Sequence, residues 1–530
     1  MPKQKTDDLI QLIKSLSRAE KRHFRLFVKR NQASNDILFL QLFDVLDKSG
    51  MYDEQLILKK LPAVKKRQLS NLKAHLYKQL LISLRLLNKN HNEDIQIREM
   101  VDYAKVLYNK GLYRQALDML DKVKERALSS QHHAMAMEIL EYEKHIESQY
   151  ITRSIEGRAD ELTEQTIGLI DHLAHTNLFS NLSLQLYSRY LKMGHVRNSM
   201  DHEQLRKFFL DRLPQNVSYN QLDFYGKAYY CQSHVWYYHL TQEFSLCYKH
   251  AKKWVDLFEA HPNILMLNIP LYLKGLHNLL NALFNALHYD KFIAELEHLK
   301  EFPNRFSVKG KRNIEGLYYL YWYIHSIKKH FLEGTFTEGL QLVAEVMEII
   351  ESERYNWDQR RIMVFYYRIA CLHFGSGDFD AAIDYLNRII NQKNPDYRED
   401  IQCFARILSL IAHFELGNAQ LVEYQVKSVY RFLLKMEDLH IVQKEIFRFL
   451  RKTPRMLEEE LRDQFMQLKE KLAVALYDPY ERRPFLYLDI ISWLESKLEN
   501  RHVQDIIRDK FLNEKSIKRS KIGMPLGKKR

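Results

Sequence analysis

The chain has 530 residues, with 80 Lys and Arg against 67 Asp and Glu, and a formal net charge of +13. Apolar residues make up 46% and charged residues 28%, the composition of a chain that buries a large core. Only 16 glycines and 11 prolines are present, which argues against Gly-rich nucleotide loops, collagen and turn-rich all-β folds. The composition favours a chain that is helical nearly throughout.

The cysteines and the apolar stretches bear on the cellular compartment. The cysteines are Cys231, Cys247, Cys371 and Cys403. They lie far apart without a C-x-x-C pair, so we expect no disulfide framework and no cysteine zinc site. The N-terminus lacks a signal-peptide pattern. The most apolar stretch, 263–287, is interrupted by Pro270, Lys274 and several Asn, and falls short of the about 20 apolar residues of a membrane span. We therefore expect a cytoplasmic protein with no membrane association.

The first predicted elements form a basic N-terminal module. Residues 1–90 hold 19 Lys and Arg against 8 Asp and Glu. Within them, 54–61 reads as a short helix, 62–64 as a turn and 66–87 as a long helix whose buried stripe is leucine. Four polar residues of the long helix fall within about 40° of one another on a different face. They are Arg67, Asn71, Lys78 and Arg85. A helix-turn-helix reader of nucleic acid needs such a face, although a solvated or protein-docking surface has the same composition.

Helical periodicity continues through the body of the chain, where a short pattern recurs. The form H-F-x-x-G begins at His330, His373 and His413, and its glycines lie 43 and 40 residues apart. Each copy follows an aromatic-rich helical stretch and precedes a second amphipathic helix. This spacing predicts helical hairpins with a glycine where the first helix stops. Because one hairpin cannot bury its own apolar face, the units must stack.

An earlier segment repeats this spacing with Ala104, Gly111, Tyr113 and Ala116. These residues resemble the tetratricopeptide repeat, which has a small residue in its first helix, Gly before the turn aromatic, and Ala at the helix–helix contact. The resemblance covers 98–128 and 358–392 well, and 311–352 and 398–437 fairly. It is weak around Phe244 and Phe292, where Gln242 and Asp290 replace the turn glycine. The units recur every 40–48 residues, whereas the family period is 34.

The resemblance implies that the first helices of neighbouring units line a concave groove. The residues that this register directs into the groove are Tyr321, Lys328, Phe331, Tyr367, Cys371, Phe374, Phe404 and Phe414. Such an apolar, aromatic surface suits a peptide or an amphipathic helix. The three repeat histidines are expected to pack or to hydrogen-bond, with a ligand-binding row as the alternative.

The sequence shows none of the common catalytic motifs. His132 and His133 are adjacent, and His172 and His175 are one helical turn apart, but neither pair has a supporting carboxylate or cysteine cluster. We therefore expect no catalytic residues, no metal site and no cofactor.

The predicted fold is an all-α, right-handed solenoid of stacked hairpins. Its segments are a basic module at 1–92 with a candidate helix-turn-helix at 54–87, a tetratricopeptide-like array at 93–437, a helical cap at 438–513, and a basic disordered tail at 514–530. The predicted function is a non-enzymatic scaffold that binds a protein or peptide in the groove. The alternative is a regulator with a helix-turn-helix-like N-terminal module and a sensor array, in which the N-terminal module or the basic tail binds nucleic acid. The sequence does not determine the oligomeric state.

Overall fold

The computed structural model describes residues 8–30, 36–50, 52–89, 92–149, 157–214, 217–306, 308, 310–392, 399–435, 440–452, 456, 458–478, 480–481 and 489–522. Every regular element in these ranges is a helix, which confirms the all-α prediction for the described part of the chain. The chain divides into two compact units, residues 1–169 and 170–530.

The N-terminal unit contains the predicted basic module and the first part of the predicted array. Its helices are α1 (Asp8–Ser15), α2 (Arg18–Arg30), α3 (Asp36–Ser49), α4 (Glu54–Lys60), α5 (Lys66–Asn88), α6 (Glu93–Asn109), α7 (Tyr113–Ser129), α8 (His133–Gln149) and the start of α9 (Arg158–Met193), which continues into the second unit.

Helices α1–α5 share one apolar core. Phe24 of α2 packs edge-on against Phe43 of α3, with ring centroids 4.9 Å apart, and both rings are buried. On α5, Leu69, Leu76 and Leu80 are buried, as the predicted leucine stripe requires. The observed α4 and α5 agree with the predicted helical ranges to within one residue, because a cap and a turn set these boundaries locally.

Helices α6, α7 and α8 pack successively on one another. Gly111, between α6 and α7, has a left-handed φ of 76°, and Ala104 and Ala116 are fully buried. A buried charge network stands beside this core. Glu143 of α8 is fully buried, accepts from Lys124 Nζ at 2.5 Å and forms an ion pair with Arg158.

The second unit holds the remaining elements. They are α10 (Ser199–Leu210), η1 (Tyr219–Gln221), α11 (Phe224–Leu240), α12 (Phe244–Glu259), α13 (Pro262–Leu267), α14 (Ile269–Asn285), α15 (Tyr289–Lys300), α16 (Phe302–Arg305), α17 (Arg312–Glu333), α18 (Phe336–Gly339), η2 (Leu340–Leu342), α19 (Val343–Glu351), α20 (Gln359–Ser376), α21 (Phe379–Ile390), α22 (Glu399–Glu415), α23 (Ala419–Lys435), α24 (Ile441–Lys452), α25 (Glu458–Ala475), α26 (Ile490–Glu499) and α27 (Val503–Ile522). Helices that follow one another in the chain pack together in a repeat-like arrangement.

The three glycines of the recurring pattern stop their helices in the left-handed conformation. Gly334, Gly377 and Gly417 have φ values of 67°, 91° and 73°. In each turn the residue after the glycine donates its backbone N–H to the histidine carbonyl, which satisfies a carbonyl at the helix end. The predicted hairpin turns are thus present at all three positions.

Two earlier turns have the same geometry without glycine. Gln242 has a φ of 62°, as expected for a residue that replaces the turn glycine. At the next turn the expectation for Asp290 is wrong: Leu287 has the left-handed φ of 56°, and Asp290 lies in the first turn of α15. The sequence carries no signal for this position, because leucine rarely adopts that conformation.

The repeat histidines hydrogen-bond across their turns. His330 Nδ1 lies 2.8 Å from Thr335 Oγ1, and His373 Nδ1 lies 3.0 Å from Asp378 Oδ2. In the third copy His413 Nδ1 lies 3.2 Å from the Asn418 side chain. Each partner is the residue that follows the glycine, just before the returning helix. The histidines therefore brace the hairpin turns.

The last helix lies across two of these turns. Arg508 of α27 donates from Nη1 to the Glu333 carbonyl at 3.1 Å, and Gln504 accepts from Thr337 N at 3.2 Å. The imidazole of His502 lies against Gly377. Helix α27 continues to Ile522, into the segment expected as a disordered tail, and 523–530 lie outside the described residues.

Candidate functional site

The second unit contains a cavity of about 930 Å³. Its wall is formed by one face of α14, α17 and α20, together with residues of α9 and α11 and one residue of α22. Helices α11, α14, α17 and α20 are each the first helix of a hairpin. The volume lies in the range of ligand-binding cavities in proteins.

Five of the eight predicted groove residues line this cavity. They are Tyr321, Lys328, Phe331, Tyr367 and Cys371. Phe374 and Phe404 are 2% and 3% exposed and lie in the core instead. Phe414 packs against Phe449, with ring centroids 5.7 Å apart. These three rings fill the space between helices, where neighbouring helices far along the chain decide which face is covered.

Helix α14 supplies the part of the wall that sequence reasoning missed. Its cavity-lining polar residues are Lys274, His277, Asn278, Asn281 and Asn285. Their spacing of three or four residues places them on one helical face. The signal was visible, because these residues are the polar interruptions of the most apolar stretch of the chain. Polar groups on one face of an otherwise apolar helix indicate a wet or ligand-facing surface.

A hydrogen-bond chain links the α14 and α17 parts of the wall. Lys328 Nζ donates to Asn281 Oδ1 at 2.6 Å, and Asn281 Nδ2 lies 3.0 Å from His277 Nε2. His277 Nδ1 lies 3.0 Å from His325 Nε2. Because the Asn281 oxygen accepts from Lys328, the Asn281 NH₂ faces His277 and donates to its Nε2. His277 then donates from Nδ1 to His325, which assigns the neutral tautomer of His277.

Burial lowers the pKa values of the basic side chains in this part of the cavity wall. Burial and then the charge of Arg368 hold the pKa of Lys328 well below its ordinary value. Burial, followed by nearby cations, likewise holds the pKa of His277 well below its ordinary value. Burial and Arg361 lower the pKa of Lys274 to about 8. Positive charge is therefore costly here as long as no anion is nearby.

Aromatic rings form another part of the wall. The Trp236 ring centroid lies 4.8 Å from that of Tyr187 and 5.4 Å from that of Tyr190. The indole Nε1 of Trp236 is buried, and no acceptor among the described residues lies within hydrogen-bond distance. A polar ring lies beside an aromatic one at His277, whose imidazole stacks on the Tyr321 ring with centroids 4.1 Å apart. The wall thus combines flat apolar surfaces with donors and cations.

The candidate nucleic-acid residues lie in the N-terminal unit. Arg67, Asn71, Lys78 and Arg85 are all exposed on α5, away from the buried leucines. Arg85 Nη2 lies 3.9 Å from an Asp102 carboxylate oxygen, and both side chains are well exposed, so this ion pair is weak. The face is available for contact.

In the described ranges no group of three or more His, Cys, Asp or Glu side chains is placed to hold a metal ion. None of the helices assigned in those ranges is both long and apolar enough to cross a bilayer.

The described residues define an all-helical protein with repeat-like helix packing and a cavity in its second unit. Comparison with known proteins finds no protein-family model, no curated protein and no solved structure that matches the chain.

Proposed function

We propose that this chain is a non-enzymatic binding protein with a tetratricopeptide-like, right-handed array, and that it captures a peptide segment of a partner protein in the cavity of its second unit. The observation that carries the proposal is the wall itself: one face of successive first helices lines one continuous cavity. Helix, left-handed turn residue and returning helix recur along the chain, which supports the array. The four cysteines are buried and none is in a disulfide bond, which suits a cytoplasmic location.

The wall suits a peptide for two reasons. It offers aromatic rings for apolar side chains and Asn side chains for the peptide backbone, the two kinds of contact by which peptides are held in grooves. It is also built on helices, so it is largely formed before binding. A preformed surface lowers the ordering cost of association.

Selection from a displayed random-peptide library on the full chain, followed by affinity measurements with the selected peptides, tests this function. We expect Tyr187→Ala, which removes a half-buried ring of the wall, to weaken binding about tenfold or more. The matched control is Tyr424→Ala, whose ring is 78% exposed on α23 and outside the cavity. Equal affinity of the selected peptides for both variants would place the binding surface elsewhere.

The second candidate function is nucleic-acid binding by the N-terminal unit, which the exposed face of α5 favours. Arginine and asparagine suit base edges, and lysine suits phosphates. Fluorescence polarisation of DNA and RNA duplexes at two salt concentrations tests it. The triple variant Arg67→Glu, Asn71→Ala, Lys78→Glu should weaken binding at low salt and reduce the salt slope of the affinity by about 2.

The control for that assay carries the same chemical changes on another exposed surface of the same unit. It is Asn109→Ala, Lys110→Glu, Arg114→Glu, three exposed residues near the α6–α7 turn. Loss of binding in both triple variants would indicate a general effect of net charge. No binding at low salt would remove nucleic acid from consideration.

A further inference from the structure

The described part of the cavity wall holds more cationic than anionic side chains. Lys274, Lys328, Arg361 and Arg368 come from α14, α17 and α20 and line the same space. Among the described residues of the wall, Asp358 is the only carboxylate, and its Oδ2 lies 3.2 Å from Arg361 Nε. Lys328 is buried in the wall, whereas Arg361 lies at its exposed rim.

Lys328 is the most informative member of the cluster. It is only 5% exposed; its Nζ donates to the Asn281 amide oxygen at 2.6 Å and lies 4.2 Å from the centroid of the Phe284 ring. Burial of a lysine beside an amide, an aromatic ring and the charge of Arg368 is unfavourable. The cost is offset when an anion enters the cavity, so the arrangement points to an anionic ligand.

The four cations belong to three helices that line the same cavity. Lys274 lies on α14, Lys328 on α17, and Arg361 and Arg368 lie two turns apart on α20. Two lysines supply point charges, and two arginines supply planar forks of donors. The cavity wall thus holds several cationic donors, which suit the several oxygens of a tetrahedral anion.

We propose that Lys274, Lys328, Arg361 and Arg368 form a phosphate-binding subsite, and that the ligand of this cavity carries a phosphate monoester. The inference rests on the cavity of the proposed function and names the chemistry of its ligand. A phosphate monoester has close to two negative charges near neutral pH and three acceptor oxygens, so it balances this cluster better than one carboxylate does. The aromatic part of the wall, which includes Trp236, would contact the rest of the ligand.

Isothermal titration calorimetry on the full chain tests the subsite with three kinds of probe. The first is a degenerate heptapeptide mixture with a central phosphoserine, alongside the same mixture with serine. The second is a set of phosphorylated small molecules, AMP and ribose 5-phosphate, alongside adenosine and ribose. The third is inorganic phosphate alone. We expect any phosphorylated probe that binds to do so at least about tenfold more tightly than its unphosphorylated counterpart, because the counterpart lacks the charged hydrogen bonds of the phosphate.

The variants connect binding to the subsite. Lys328→Met keeps the side-chain length and removes the charge. It should lower the affinity for phosphorylated probes about tenfold to a hundredfold. Lys329→Met is the control, because Lys329 is the next residue of α17, does not line the cavity and pairs only loosely with Glu333 at 4.0 Å. Arg361→Gln, at the exposed rim, is a second test that does not disturb the buried wall.

The outcomes separate the subsite from the proposed function. Tight binding of phosphoserine peptides supports both, and tight binding of AMP or ribose 5-phosphate without peptide binding supports the subsite but overturns peptide capture. Peptides that bind equally with serine or phosphoserine, and equally to Lys328→Met, support peptide capture and overturn the subsite. The subsite is also overturned when no phosphorylated probe binds the folded wild-type chain.

Discussion

The turn at Gly334 offers a direct test of how the last helix is attached to the second unit. Gly334 has a φ of 67°, and a Cβ atom there would lie 2.4 Å from Arg508 N and 2.7 Å from Gln504 O. Both atoms belong to the backbone of α27, so they cannot move aside as the end of a side chain could. Gly334→Ala should therefore strain the turn and displace α27.

Gly417 provides the matched comparison. Its φ of 73° is nearly the same, but a Cβ there would meet nothing within 4 Å. Alanine in the left-handed conformation costs about 1–2 kcal/mol at either position. Gly334→Ala adds a steric cost of about 1–3 kcal/mol, typical of overpacking. We expect a total loss of about 2–5 kcal/mol for Gly334→Ala and about 1–2 kcal/mol for Gly417→Ala.

Hydrogen exchange and urea denaturation measure these two effects separately. Amides of α27 should exchange faster in Gly334→Ala and remain protected in Gly417→Ala, while both variants lower the midpoint of urea unfolding. Equal destabilisation of the two variants, with α27 equally protected, would show that the helix does not depend on the close approach at Gly334.

Three other perturbations have defined outcomes. Burial lowers the pKa of His234 to about 4 and that of His250 to about 3, so both stay neutral in the folded chain while unfolded histidine, with a pKa of about 6.5, binds protons. The free energy of unfolding is therefore unaffected by these histidines above about pH 6.5, and it falls below that pH by about 2 kcal/mol for each histidine at about pH 5. Midpoints of urea unfolding measured across this pH range should show the fall, and His250→Gln should make the midpoint less dependent on pH. Asp378→Ala removes a bond to Ala381 N at 3.2 Å and the bond to His373, and should lower the unfolding free energy by about 1–2 kcal/mol; unchanged thermal unfolding would refute the bracing role. Glu143→Ala leaves the Lys124 ammonium buried without its closest carboxylate, and should destabilise the N-terminal unit by about 3–5 kcal/mol in urea unfolding, whereas a neutral effect would mean that water reaches the cation.

Much of the local structure was predictable because its causes lie within a few residues. The helices α4 and α5, the capping pair of Ser17 and Glu20, and the left-handed Gly334, Gly377 and Gly417 follow from periodicity and caps. In the capping pair, Ser17 N donates to Glu20 Oε2 at 2.6 Å and Glu20 N to Ser17 Oγ at 3.2 Å. Such hydrogen bonds form within one helical turn, so they need no information from distant parts of the chain.

The cavity was not predictable from the sequence in the same way, because it depends on contacts between helices far apart in the chain. Periodicity shows that Lys274 and His277 share a helical face, but only the packing of α14 beside α17 brings that face to Lys328 and Tyr321. Packing of α22 against α20 and α24 likewise buries Phe404 in the core, although an aromatic side chain suits a groove equally well. Sequence alone determined which segments are helical and where three of the hairpins turn. Tertiary structure decided which polar face became the cavity wall, because burial is set jointly by every helix that covers a surface.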